Sequence, residues 1–288
     1  MIVYPNAKIN LGLNILNKRN DGFHNISSVF FPVKSCYDIL EVKESKSFCF
    51  TVTGKFKNNE DLQKNNICVR AFNLIKDNYG IPNVSIHLHK LIPIGAGLGG
   101  GSSDASFTLK ALNDIFNLKI SNSVLEKYSL KLGSDCPFFI ENTTKYVKGI
   151  GETMYKFDLN LKDYNIELFD PGIHISTKQA YSLINPKFPK IELVDLIKKP
   201  IKNWKYNISN DFEIPIFDMY PLLAKKKKEF YERGAIYSSL TGSGSVVYAI
   251  FSKWFYPFIV IRNSWLSCVF SSLSFINSIA STGFISDR

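Results

Sequence analysis

The residues that point most directly to chemistry form a glycine-rich segment, residues 93–103, which reads Pro-Ile-Gly-Ala-Gly-Leu-Gly-Gly-Gly-Ser-Ser. Glycine lacks a Cβ atom and adopts positive φ at little cost, so this segment can curl closely around a ligand. Several of its backbone N–H groups can then point toward one anion. We therefore predict a phosphate-binding loop, formed by Pro93, Gly95, Ala96, Gly97, Leu98, Gly99, Gly100, Gly101, Ser102 and Ser103.

An amphipathic helix is predicted directly after the loop, because apolar residues recur at helical spacing between residues 105 and 116. We expect Ser102, Ser103 or Asp104 to be its N-cap. The unpaired N–H groups and the positive dipole end at a helix N-terminus favour phosphate binding. The serine hydroxyls add oxygen atoms that suit a phosphate-bound magnesium ion, and Ser103 is the predicted metal ligand.

Two well-known nucleotide motifs do not describe this loop. No Gly-Lys-Ser/Thr triplet closes it as in a Walker A motif, and no acidic residue follows at the position that a Rossmann fold requires. A flexible linker is another alternative, but linkers do not lead directly into an amphipathic helix. A phosphate loop of a different type is the better interpretation.

Two charged residues are candidates for catalysis. Residues 2–16 alternate in part as a half-buried strand does, which places Lys8 and Asn10 together on the polar face. A lysine opposite a phosphate loop could stabilise charge on a transferring phosphoryl group, although a solvated surface lysine gives the same pattern. Asp135 lies in a turn before an apolar run, where it either borders a buried site or caps the turn.

The composition is that of a globular enzyme that suits acidic ligands. The chain has 288 residues, 45% of them apolar, and a net charge of +10. Such a charge favours nucleotides, and weak nonspecific binding to nucleic acid would be an equally natural consequence. Five scattered cysteines indicate reduced thiols, and the N-terminus has no signal-peptide pattern, so we expect a cytoplasmic location. His87 and His89 could imitate a metal site, but no third ligand type lies near them in sequence.

Further patterns predict the elements that position these residues. A strand at 84–90 is predicted to deliver the chain into the phosphate loop, because its residues alternate cleanly. Strands of an antiparallel sheet are predicted at 26–33, 38–42 and 47–53. Helices are predicted at 66–80, with Gly80 as C-cap, at 123–132 and at 222–233.

The chain is predicted to contain two sub-domains that share a cleft, residues 1–155 and 156–251, because no long linker separates them. In the second, apolar strands flank a Thr-Gly-Ser-Gly-Ser turn at 241–245, whose N–H groups can line an anion site. Residues 252–288 form an atypical tail, without charge between Asn263 and Ser286. Its serines argue against a membrane span, and we interpret it as a lineage-specific or altered terminus.

Four separated segments resemble one family of the GHMP small-molecule kinases, the 4-(cytidine 5′-diphospho)-2-C-methyl-D-erythritol kinases of the non-mevalonate isoprenoid pathway. The loop alone resembles the wider superfamily, which includes galactokinase, homoserine kinase and mevalonate kinase. The segments are 5–13 with Asp-Gly-Phe-His at 21–24, the loop with Asp104, 132–139 and 241–245. The family's Asp-Gly-Tyr-His appears here with Phe23, which keeps a stacking ring without the tyrosine hydroxyl.

The resemblance implies an α+β, two-domain GHMP kinase fold, with an amino-terminal domain of the ribosomal protein S5 type and a ferredoxin-like carboxy-terminal domain. It implies phosphorylation of the erythritol 2-hydroxyl by ATP with Mg²⁺. Lys8 and Asp135 would be catalytic: Asp135 would orient or deprotonate the hydroxyl, and Lys8 would keep the aspartate charged. Asn66 and Lys90 would contact adenine. The substrate would contact Asn10, Phe23, His24, Gly242 and Ser243.

Two rival functions are a related kinase with another substrate and a protein without catalytic activity. A sister kinase acting on homoserine or a mevalonate derivative would share the loop but not the segment at 21–24. A non-catalytic or tail-anchored nucleotide-binding protein would not need both Lys8 and Asp135. The expected partners are the cytidine substrate and ATP, without nucleic acid or membrane, and the sequence does not distinguish a monomer from a homodimer.

Overall fold

A computed structural model describes residues 1–59 and 65–253 of the chain. The strands are β1 (Ile2–Val3), β2 (Asn6–Lys18), β3 (His24–Tyr37), β4 (Ile39–Glu44), β5 (Cys49–Gly54), β6 (Val84–Lys90), β7 (Lys145–Lys148), β8 (Thr153–Lys156), β9 (Tyr164–Phe169), β10 (Tyr237–Leu240) and β11 (Val247–Ser252). Each of the predicted strands at 26–33, 38–42, 47–53 and 84–90 overlaps one of these elements, so their existence is confirmed.

The helices include the one that follows the phosphate loop in the chain. They are α1 (Ile67–Tyr79), α2 (Gly100–Ile115), α3 (Asn122–Leu130), α4 (Cys136–Glu141), α5 (Thr177–Ser182), α6 (Leu193–Ile197), a 3₁₀ turn (Ile201–Asn203), α7 (Trp204–Asn207), α8 (Glu213–Met219) and α9 (Pro221–Glu232). The three helices predicted at 66–80, 123–132 and 222–233 correspond to α1, α3 and α9. Gly80 is the left-handed C-cap of α1, with φ 65°, as predicted.

The described strands form three sheets, in the orders β1-β4-β6-β5, β2-β3-β7-β8 and β10-β11-β9. Neighbouring strands are antiparallel except for β5 and β6, which are parallel. The expectation of an antiparallel sheet is therefore wrong at β5. The connection from β5 to β6 contains α1, and a helical crossover of this length allows a parallel return that a short hairpin cannot make.

The apolar side chains of β6 explain why the strand before the loop is so well placed. Val84, Ile86 and Leu88 are fully buried, while the residues between them are half-buried. This alternation packs one face of the sheet against α1 and α2, where Phe72, Leu109 and Leu112 belong to the same core. The core thereby fixes both the strand that enters the phosphate loop and the helix that leaves it.

A second core joins the early strands to the later part of the chain. Ile9 and Leu11 of β2 belong to one cluster with Trp204, Tyr237 and Tyr248. The described residues, up to Lys253, belong to one compact unit by their contacts. The sub-domain boundary near residue 155 therefore stays a prediction, and the predicted tail lies outside the described residues from 254 onward. Across the described ranges, no helix combines the length and the apolarity that a membrane crossing needs.

Candidate active site

The phosphate loop connects β6 to α2, and its helix begins earlier than the sequence indicated. Gly99 is the N-cap, in a left-handed conformation with φ 69°, and α2 starts at Gly100. The expectation that Ser102, Ser103 or Asp104 caps the helix is wrong. Close packing explains the difference, since a Cβ atom on Gly99 would lie 3.1 Å from Phe139 Cζ, and one on Gly100 would lie 2.8 Å from Ile92 Cγ2.

Ala96 and Gly97 of the loop pack against the glycine-serine turn at 241–245. A Cβ atom on Gly97, whose φ is 79°, would lie 2.1 Å from the carbonyl oxygen of Thr241. The N–H of Val246 donates to the carbonyl of Ala96 over 3.4 Å, and the N–H of Lys8 donates to the carbonyl of Leu98 over 2.9 Å. Backbone contacts therefore fix the loop between β2 and the later turn.

Lys8 and Asp135 lie together beside this loop. Lys8 is 3% exposed, and its Nζ lies 3.4 Å from Asp135 Oδ2 and 4.3 Å from the centre of the Phe30 ring. Its side chain runs along Gly99, where a Cβ atom would lie 3.1 Å from Lys8 Cγ. The alternative of a solvated surface lysine is therefore excluded. The strand alternation failed here because the polar face of β2 is covered by the loop and by α4.

Asp135 occupies the N-cap position of α4. Within the described part of the chain, its carboxylate makes no capping hydrogen bond, and its side chain is 29% exposed. Gly133 and Ser134 lie beside it, and all three residues line a cavity that the phosphate loop also borders. A carboxylate that does not cap its own helix remains available to accept a proton or a hydrogen bond from a ligand.

Asn10 connects Lys8 to the turn at 241–245. Its Oδ1 accepts hydrogen bonds from Lys8 Nζ over 2.7 Å and from the N–H of Gly242 over 3.0 Å. Its Nδ2 donates to Ser28 Oγ over 2.9 Å. Because Asn10 is 1% exposed, these bonds are shielded from water and hold the lysine and the turn in a fixed relation.

These groups border a cavity of about 1120 Å³. Its polar side contains Lys8 and Asp135 together with Gly97, Gly99 and Ser102 of the loop, and Gly242 and Ser243 of the later turn. Phe23, His24 and Tyr181 add aromatic rings to the lining. A volume of this size holds a ligand larger than most drug-sized molecules, and its lining combines the phosphate loop with aromatic rings.

Among the aromatic residues of the cavity lining, Tyr181 is one that the sequence did not single out. The rings of His24 and Tyr181 stack with centroids 4.9 Å apart, and Phe23 is 57% exposed. Burial raises the pKa of Tyr181 to about 12, and the charge of Asp135 acts in the same direction. Burial, followed by the charge of Lys18, lowers the pKa of His24. In the sequence, Tyr181 belongs to none of the motifs, and a single aromatic residue is not a binding signal.

The two serines of the loop differ in their surroundings. Ser102 borders the cavity, whereas Ser103 is fully buried, and its Oγ has no hydrogen-bond partner among the described residues. A buried hydroxyl oxygen without a partner is compatible with a metal ligand or a phosphate contact. The described residues contain no cluster of three His, Cys, Asp or Glu side chains that could hold a metal ion. The described residues thus offer hydroxyl groups and no carboxylate cage.

Asn66 and Lys90 lie away from this cavity wall. Asn66 Oδ1 accepts the N–H of Cys68 over 2.8 Å as the N-cap of α1. Lys90 is 2% exposed, and its Nζ donates to Asp38 and to Asp104, the latter over 2.8 Å. Burial raises the pKa of Asp104 well above its ordinary value. The predicted adenine contacts stay predictions, and one made by the Lys90 ammonium would have to break these ion pairs.

The fold and the site define a GHMP-type kinase. The family model of the GHMP kinases N terminal domain matches residues 66–142, which contain α1, β6, the loop and α2. The mevalonate kinase of Methanococcus jannaschii shares the fold at 15% identity, with a TM-score of 0.61 over 88% of this chain and 91% of that chain.

The sequence relatives are more specific. A 4-diphosphocytidyl-2-C-methyl-D-erythritol kinase of Azobacteroides pseudotrichonymphae is 46% identical over 89% of this chain and 96% of its own length. That of Parabacteroides distasonis is 45% identical over 88% and 92%. A crystal structure of a 4-(cytidine 5′-diphospho)-2C-methyl-D-erythritol kinase superposes with a TM-score of 0.74 at 29% identity, covering 86% of this chain and 89% of that chain. The chain belongs to this kinase family, and it is an ATP-dependent small-molecule kinase.

Proposed function

We propose that this enzyme transfers the γ-phosphoryl group of ATP to the 2-hydroxyl of 4-diphosphocytidyl-2-C-methyl-D-erythritol, in the non-mevalonate isoprenoid pathway. The observation that carries the proposal is the Lys8–Asp135 pair, with 3.4 Å between Nζ and Oδ2, inside the cavity that the phosphate loop borders. Family membership at 46% identity supports the choice of substrate.

The two charged residues would divide the chemistry between them. Asp135 would accept a hydrogen bond from the attacking hydroxyl, orient it and take its proton. As the new O–P bond forms, the bond between the γ-phosphorus and the bridging oxygen of ATP breaks, and ADP leaves with that oxygen. Lys8, held by Asn10 and Phe30, would stabilise the negative charge that develops on the transferring group. The N–H groups of the loop and of the first turn of α2 would hold the ATP phosphates.

Magnesium enters the proposal as an ion that the ATP phosphates bind. Bound there, the ion would neutralise part of the phosphate charge. The residues present fit such a role, because Ser102 borders the cavity and Ser103 has a buried Oγ without a partner among the described residues. Ser103 is the proposed ligand, and Ser102 is the hydroxyl that faces the cavity.

The rest of the cavity suits a cytidine diphosphate. We propose that Phe23, His24 and Tyr181 contact the cytosine ring, since flat aromatic rings in the cavity lining can stack on a base. Gly242 and Ser243 would border the substrate diphosphate.

We also propose sub-domains at 1–155 and 156–251. A cytoplasmic location is proposed as well, and the four free cysteines of the described residues support it.

The test is ADP release by the purified enzyme, given magnesium-ATP and the cytidine substrate, with homoserine and mevalonate as comparison substrates. Asp135→Asn is the control, because it keeps the shape of the side chain and removes the base. Turnover with the cytidine substrate alone, lost in the variant, is the expected result. Turnover with homoserine or mevalonate instead would show that the substrate assignment is wrong.

A further inference from the structure

A buried cluster of three charged side chains lies behind the phosphate loop, outside the cavity. It consists of Asp38, at the junction of β3 and β4, Lys90, at the end of β6, and Asp104, in α2. Their exposed fractions are 0%, 2% and 1%. Lys90 Nζ donates to Asp38 Oδ2 and, over 2.8 Å, to Asp104 Oδ2. Burying three charged groups is costly unless their geometry serves a purpose.

The cluster grips the chain on both sides of the loop. Before the loop, Asp38 Oδ1 accepts the N–H of Leu91 over 2.5 Å and that of Ile92 over 2.8 Å. After the loop, Asp104 lies on the fifth residue of α2. Lys90 joins the two carboxylates, so that the entry and the exit of the loop are connected through one ammonium group.

Lys90 also lies directly under the first turn of α2. A Cβ atom on Gly100 would lie 3.0 Å from Lys90 Nζ and 2.8 Å from Ile92 Cγ2. The turn therefore rests on the cluster without an intervening side chain. Because the N–H groups of this turn are those that would meet a phosphate, a change in the cluster reaches them through rigid contacts.

We propose that Asp38, Lys90 and Asp104 are positioning residues for the nucleotide, which set the direction of the phosphate-binding N–H groups through both ends of the loop. The inference rests on the proposed ATP-dependent function. It also gives Lys90 a role other than the adenine contact that the resemblance implied, since its ammonium acts on the loop rather than on the base.

The variant that tests this with least damage is Asp104→Ala. It disconnects Lys90 from α2 and leaves Asp38 and Lys90 as a charge-balanced pair, so we expect it to fold. Asp104→Asn keeps an oxygen that accepts the hydrogen bond from Lys90 and should restore binding. Glu213→Gln is the control, because Glu213 is also buried and accepts from a lysine, Lys227, and from the backbone N–H of Leu240 in β10, rather than from either end of the phosphate loop. Asp104→Ser serves if the alanine variant is not recovered folded.

Two measurements separate positioning from general destabilisation. We expect Asp104→Ala to weaken ADP binding in calorimetry, and to raise the KM for ATP, by roughly 10–100-fold. The KM for the cytidine substrate and the melting temperature should change far less, and Asp104→Asn should bind ADP within about threefold of the parent enzyme. Glu213→Gln should lower the melting temperature and leave ADP binding unchanged.

The inference is overturned if folded Asp104→Ala binds ADP as the parent enzyme does, or if Glu213→Gln weakens ADP binding as much. Because ADP binding needs no acceptor alcohol, these outcomes leave the proposed substrate untouched. Failure of the parent enzyme to bind ADP at all would overturn the proposed function, and this inference with it.

Discussion

Replacing Lys8 with methionine tests the proposed chemistry most directly. Methionine is close to lysine in length and is apolar, so its side chain can lie along Gly99 and over the Phe30 ring as that of Lys8 does. The perturbation removes one buried ammonium and leaves Asp135, whose side chain is 29% exposed and stays hydrated. Removing one partner of a buried ion pair is costly when the other charge stays buried, but Asp135 keeps its contact with water, so we expect a folded protein of reduced stability.

The effect on the rate should be much larger than the effect on stability. Two unit charges 3.4 Å apart attract by about 5 kcal/mol at an effective dielectric constant of 20, before desolvation is counted. Lys8→Met therefore removes a charge from the reacting group and also releases Asp135 from its partner. Loss of one preorganised donor costs roughly 10²–10³ in kcat, and we expect a decrease at the upper end of that range. The KM for ATP should change little, because the loop retains its backbone contacts.

The assay is steady-state ADP release at saturating concentrations of both substrates. Lys145→Met is the matched control, because Lys145 is also mostly buried and paired with a carboxylate, Glu141, but does not border the cavity. We expect the control to keep its kcat within about threefold. A folded Lys8→Met enzyme with a kcat close to that of the parent would refute the role proposed for this lysine.

Three further expectations follow from the same geometry. Gly97→Ala would place a methyl group 2.1 Å from the carbonyl oxygen of Thr241 at a positive φ, so it should cost more than about 1–3 kcal/mol of unfolding free energy, measured by urea denaturation; an unchanged midpoint would contradict this contact. Tyr181→Leu removes the ring that stacks on His24, and should raise the KM for the cytidine substrate about tenfold at constant KM for ATP, whereas an equal rise in both would point to misfolding. Because the pKa of His24 is lowered, its stabilising contribution is present above pH of about 6.5 and is lost as the pH falls toward the lowered pKa. The parent enzyme should therefore lose more melting temperature than His24→Gln between about pH 7.5 and 5.5, and equal losses would contradict the sign.

Local patterns were sufficient for the elements that lead into and out of the loop. The alternation at 84–90 predicted β6 with the correct ends, and the spacing at 66–80 predicted α1 with its glycine C-cap. These signals are reliable because both elements bury one face against the same core, so the period of the apolar residues is set by the structure itself.

The helix start was mispredicted for a physical reason. Serine and aspartate are good N-caps, and two glycines in a first turn disfavour a helix, so local propensity indicated a start near Ser102. The tertiary structure reverses the preference, because Ile92 and Lys90 press against the backbone at Gly100 and leave no space for a side chain. A propensity of about 1 kcal/mol per glycine cannot compete with such contacts.

The partners of the charged residues were also beyond local reasoning. Asp38 and Lys90 are 52 positions apart in the chain, and Lys90 and Asp104 are 14 apart. Asp38 meets Lys90 because β4 and β6 pair antiparallel, with Ile39 opposite His89. Each residue seen alone is an ordinary polar residue at the end of a strand or helix. Only the topology places all three beneath the loop, which is why Asp38 carried no signal in the sequence.

Asn10 shows how the same limitation applies at the centre of the site. Alternation placed it with Lys8 on a polar face, but Asn10 is 1% exposed and accepts from Lys8 and from Gly242, 232 positions away. One amide oxygen thus positions both the lysine proposed to act on the phosphoryl group and the turn proposed to border the substrate diphosphate. A substrate that presses on this turn therefore acts on the hydrogen-bond partner of the lysine. If both proposed roles hold, we expect substrate binding and phosphoryl transfer to be coupled through this buried side chain.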